Sequence, residues 1–144
     1  MSTTRKPILC VDFDGVIHSY KSGWKGETII DDPPVEGSLE FLYNALHYFR
    51  VAIFSSRSTF SGINAMQLWL DRWCREKWPE GRWMGDKWWN QIEWPMHKPS
   101  AFLTIDDRAI LFTGKWPPIQ ELLEFKTWIE KDRVFGTDQR EGPR

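Results

Sequence analysis

The stretch Ile8-Leu9-Cys10-Val11-Asp12-Phe13-Asp14-Gly15 decides the fold. A short run that is apolar at every position, rather than at alternate ones, predicts a parallel strand buried on both faces. It stops on two carboxylates and a glycine, and glycine lets the backbone turn sharply and come close to a ligand. Two further apolar runs end in a similar way, Val51–Phe54 on Ser55-Ser56-Arg57 and Ala101–Ile105 on Asp106-Asp107. Between the first two, Leu39, Leu42, Tyr43, Leu46 and Phe49 fall at helical spacing behind a capping Ser38. After the second, Ile63, Met66, Leu70, Trp73 and Cys74 predict another helix from about Ser61. Strand alternating with helix predicts an α/β fold, a Rossmann-like three-layer sandwich around a central parallel sheet. Such sheets place their sites beyond the carboxyl ends of the strands.

The remaining segments are read more coarsely. Val16–Tyr20 and Glu27–Ile30 flank a glycine-bearing turn and predict a short flap. Short strands are expected over Gln91–Trp94 and Ala109–Phe112. Trp116-Pro117-Pro118 introduces a final helix with the apolar stripe Ile119, Leu122, Leu123 and Trp128. The chain is expected to form one domain over residues 1–144, with a core over about 8–129 and a polar, frayed tail over about 132–144.

A net charge of -1 gives no global basic field for nucleic acid, although a local groove stays open. Cys10 and Cys74 lie in apolar surroundings without metal-ligand spacing. They read as reduced core thiols in a cytoplasmic protein with no leader peptide. No apolar run is long enough to span a bilayer. His18, His47 and His97 show no ligand spacing either. Seven of the ten tryptophans fall between Trp69 and Trp94. They either fill the core or, as in the 83–94 segment, offer a stacking surface.

Parallel neighbouring strands would bring Asp12, Asp14, Asp106 and Asp107 to one crevice, where four carboxylates repel each other. A hard divalent cation relieves that repulsion, and an all-oxygen set suits Mg2+. A metal beside a carboxylate is a platform for phosphoryl transfer, with one carboxylate as nucleophile and a second as acid and base.

At these residues the chain resembles the haloacid dehalogenase (HAD) superfamily, over roughly residues 8–125. Residues 8–16 resemble its first motif, Val51–Ser55 its second, Lys98 its third and Phe102–Asp107 its fourth. The resemblance implies Asp12 as nucleophile and metal ligand, and Asp14 as acid–base and metal ligand through its carbonyl. It also implies Ser55 as phosphate-binding hydroxyl, in competition with Ser56 and Thr59. Lys98, in competition with Lys87, is the steadying lysine. Asp107 is expected as direct metal ligand, with Asp106 beside it. Gly15, Ser56, Arg57 and Trp24 are expected to meet substrate, Arg57 alternatively pairing with an acid. The stretch Lys98–Pro118 is also similar to small phage-encoded members.

Asp14 favours a phosphate ester over a carbon–halogen bond. Neither residues 15–50 nor 56–97 hold a cap domain, so a capless member with an open site is expected. Such a site suits a bulky substrate or closure by a neighbouring subunit in a homo-oligomer. The expected activity is a Mg2+-dependent phosphomonoesterase. The alternatives are a polynucleotide end-phosphatase or nucleotidase, and a phosphate-binding protein without turnover. Trp24, between Lys21 and Lys25, favours a nucleotide or nucleic-acid phosphate.

Overall fold

Cys10 and Val11 lie buried in the middle strand of a three-stranded parallel sheet with strand order β2-β1-β3. A computed structural model describes residues 5–79 and 87–132. In chain order these form β1 (Ile8–Val11), α1 (Ser38–Ala45), β2 (Arg50–Ile53), α2 (Phe60–Lys77), a 3₁₀ turn (Trp88–Gln91), β3 (Leu103–Ile105), α3 (Ile119–Leu123) and α4 (Trp128–Asp132). The chain is thus a small α/β fold, as its alternating pattern predicts. In β1, Leu9 pairs with both Val51 and Leu103, and Val11 with both Ile53 and Ile105. All three strands run the same way, so Asp12, Ser55 and Asp106 emerge at the same end.

The core is apolar burial between this sheet and its helices. Leu39 and Leu42 of α1 and Met66, Trp69, Leu70 and Cys74 of α2 pack with Val11, Val51 and Ile53. Trp88 and Trp89 are buried, and Trp73, Trp78 and Trp94 are partly so. These tryptophans fill the core; Trp83 lies outside the described residues. Cys10 and Cys74 are free and buried, and burial pushes the Cys74 thiol up to about 12. Among the described residues no helix is long and apolar enough to cross a membrane.

Several local expectations are corrected. Ser38 does not cap α1: Gly37, at φ 83°, occupies the cap position, and the Ser38 hydroxyl reaches the Ile17 carbonyl at 3.4 Å. The α2 cap is Thr59, whose side chain accepts from the Gly62 N–H at 3.1 Å. The flap contains no strands; turns carry it, pinned where Asp32 accepts from the Ser22 N–H at 2.8 Å. In place of a strand over 91–94, the 3₁₀ turn ends at Gln91 and Glu93 alone pairs with β2. The Arg50 guanidinium fixes that residue with two bonds to its carboxylate, of 2.9 and 2.7 Å. Ala109–Phe112 is not a strand, and among the described residues no strand pairs with it. The stripe expected to bury α3 is exposed at Ile119, Leu122 and Leu123. The chain returns to the body only at Thr127 and Ile129, which are buried. The polar tail beyond Asp132 lies outside the described residues.

Candidate active site

The Asp12 amide donates to the Ile105 carbonyl at 2.9 Å, continuing the β1–β3 ladder by one step. That extra rung sets Asp12 beside Asp106 and Asp107. The three carboxylates each offer an oxygen, and these oxygens lie within 4.8 Å of one another. Gly15 makes the convergence sterically possible. It adopts φ 84°, and a Cβ built there would stand 2.2 Å from Asp107 Oδ2. Trp128 of α4 steadies the same loop by donating its indole N–H to the Gly15 carbonyl at 2.7 Å.

The electrostatics follow from this crowding. Burial, then the Asp106 charge and then that of Asp107, push the Asp12 carboxyl up to about 8, opposed in part by the Phe13 N–H. Burial raises Asp107 as well. Both Asp107 oxygens are shut off from solvent without a donor. The group facing them is another carboxyl, Asp12, which can supply a hydrogen bond only while it holds a proton. A group whose folded pKa lies above its unfolded value of about 3.9 binds an extra proton in the folded state between those two values. Stability of the metal-free protein is therefore expected to fall as pH rises from about 4 towards about 8. Calorimetry in chelator should show Tm declining across that window. A flat profile would mean that the three carboxylates do not share one site.

The cleft over these groups holds about 150 Å³ and is lined by Asp12, Asp14, Tyr20, Ser56, Asp106, Asp107 and Arg108. The Asp14 carboxylate lines this cleft without joining the cluster of three. Arg57 Nε donates to both its oxygens, at 3.0 and 2.9 Å, and His18 Nδ1 lies 2.8 Å from Oδ1. His18 Nε2 accepts from the Asp32 amide at 3.2 Å, which assigns the ring proton to Nδ1 and makes His18 a donor to Asp14.

Other expected residues fall differently. Ser55 is buried: its hydroxyl accepts from the Arg57 amide at 2.9 Å and lies 3.7 Å from Met66 Sδ. The serine lining the cleft is Ser56, the neighbour on the exposed side of the turn. Arg57 is fully buried and faces Asp14 rather than open solvent, while its Nη1 donates to the carbonyls of Gly26 and Glu27. Trp24 lies over that guanidinium at 4.7 Å, so one face of its ring is occupied by Arg57. Lys25 pairs with Asp31 at 2.9 Å. Lys98 is exposed; its charge is felt at the Cys10 thiol, two residues ahead of Asp12, and no hydrogen bond or ion pair joins it to Asp12 among the described residues.

Tyr20 and Arg108, which the sequence pattern does not single out, also line the cleft. Tyr20 holds φ 58°, a left-handed backbone that costs a non-glycine residue about 1–2 kcal/mol, and its ring is buried. No local sequence pattern announces it. Arg108 was legible by position, directly after Asp106-Asp107, and its amide donates to Asp106 Oδ1 at 2.9 Å.

The chain matches no protein-family model and no curated protein. A solved structure of a conserved protein from Bacteroides thetaiotaomicron is 21% identical, covering 95% of this chain and 100% of that one with a TM-score of 0.41.

Proposed function

We propose that the chain is a capless HAD-type phosphomonoesterase that forms an aspartyl-phosphate on Asp12. The observation that carries this reading is the convergence of the Asp12, Asp106 and Asp107 carboxylates at the carboxyl end of a parallel sheet, with the Asp107 oxygens buried and undonated. An all-oxygen donor set with uncompensated negative charge fits Mg2+, which Asp12, Asp106 and Asp107 would hold. Bound there, the ion would neutralise the charge of a transferring phosphoryl group.

The chain's own groups account for the remaining steps. An Asp12 oxygen attacks phosphorus as the ester P–O bond breaks, and the leaving oxygen takes a proton from Asp14, which enters the step protonated on Oδ2 and keeps the Arg57 and His18 bonds at Oδ1. A water then attacks the aspartyl-phosphate, gives its proton back to Asp14, and frees phosphate and the Asp12 carboxylate. Arg57 and His18 fix the direction of Asp14 throughout, and Ser56 offers a hydroxyl at the cleft wall. Trp24 is stacked on Arg57, so nothing singles out a base-containing substrate over other phosphomonoesters.

The test is phosphate release from an aryl phosphate. Turnover is expected with millimolar Mg2+ and none with chelator. Activity that is equal in both, or absent from a panel spanning aryl, sugar and nucleotide phosphates, would remove the reading.

A further inference from the structure

Residues 109–126 form an arm that leaves the body after Arg108 and rejoins it at Thr127. Among the described residues its hydrogen bonds are all local, such as Glu121 to Pro118 and Phe125 to Leu122. Its side chains are nevertheless those of a core. Leu111 is 87% exposed, Trp116 86%, Leu123 74% and Ile119 71%, and Phe102 beside β3 is 72% exposed. Taking roughly 200 Å² as the full area of a large apolar residue, the arm and β3 present about 1,000 Å² of apolar surface. Monomers rarely show patches above about 600 Å², and a stable interface needs about 800 Å² from each partner.

The body carries the complementary defect. Parallel strands are normally covered on both faces, yet Leu103 and Thr104 of β3 are exposed, and β3 is an edge strand among the described residues. Next to it opens an apolar cleft of about 330 Å³, walled by Val11, Ile17, Val35, Phe41, Leu42 and Ile105. The arm leaves this cleft open on its own chain. Protruding apolar arm and open apolar cleft on one chain are what a closed two-fold exchange requires. The arm's charges also balance, Lys115 and Lys126 against Glu121 and Glu124, so two copies do not repel there. That balance departs from the Lys/Arg-rich face of a membrane-surface helix.

We propose that the arm of residues 109–126 seats in the apolar cleft beside β3 of a second copy of this chain, each copy covering the other. The proposal is independent of the chemistry assigned to the carboxylates.

Sedimentation equilibrium of the full chain tests it. At micromolar concentration the wild type should have twice the 17.1 kDa chain mass. The double variant Leu111→Glu/Leu123→Glu charges the arm, and Phe41→Glu charges the cleft rim. Each should weaken association at least about 100-fold with circular dichroism unchanged, since these side chains stand exposed on the single chain. Mixing the two variants should restore a dimer, because one arm and one cleft are then intact. A wild type that stays at the chain mass up to about 100 µM overturns the proposal, and binding of that monomer to anionic vesicles would reassign the patch to membranes. A dimer that survives Phe41→Glu, or no association on mixing, overturns the arm-in-cleft arrangement.

Discussion

Asp12→Asn is expected to cut phosphate release on the order of 10⁴-fold or more, a barrier increase of about 5 kcal/mol. An asparagine amide is a poor nucleophile, and the uncatalysed hydrolysis of phosphate monoesters is among the slowest reactions known, so little background remains. The fold should survive. Asp12 sits at a strand end where its carboxyl is already forced up to about 8 by burial and its acidic neighbours. Removing that charge relieves repulsion, so the metal-free variant should be at least as stable as the wild type at pH 8. Steady-state phosphate release and thermal unfolding of the same preparation measure both arms. A rate within about tenfold of wild type, or 1.4 kcal/mol, would rule out covalent catalysis by Asp12.

Gly62→Ala should produce the largest loss of stability. In an ordinary helix the exchange gains about 1 kcal/mol, and sequence reasoning alone would predict that gain. In the first turn of α2, however, a Cβ at Gly62 would stand 1.9 Å from the Arg57 carbonyl oxygen. That oxygen belongs to the main chain of a tight turn. The Ser55 amide bonds the Ser58 hydroxyl there at 2.9 Å, and the Thr59 amide the Arg57 carbonyl at 2.7 Å. The turn has little room to retreat, so a loss of about 3 kcal/mol or more is expected. Urea unfolding reads it as a lower midpoint. An unchanged or raised midpoint would show that the turn can move aside.

Much of this was legible in the chain because it depends on short-range pattern. The first two strands declare themselves as apolar runs and the third as a run broken only by Thr104, and the carboxylates at two of their ends follow by direction alone. What was not legible depends on distant neighbours. Whether Ser55 or Ser56 faces the cleft depends on how the turn after β2 twists towards Met66, eleven residues further along the chain. Arg57 reads equally well as a phosphate ligand or an acid's partner until Asp14 is seen to meet it from 43 residues away. The final helix shows an apolar stripe in sequence, and periodicity cannot say whether the body covers it.

The buried Arg57 side chain has a mechanical consequence. One guanidinium grips the Asp14 carboxylate through Nε and the flap carbonyls of Gly26 and Glu27 through Nη1, while Trp24 lies across its plane. Flap position and carboxylate direction are therefore a single coordinate. Whatever tilts the flap turns the carboxylate with it, and whatever pulls on the carboxylate is felt at the flap. A lysine at this position, with one ammonium on a flexible stem, would hold either neighbour and release the other, separating two motions that the native side chain makes one.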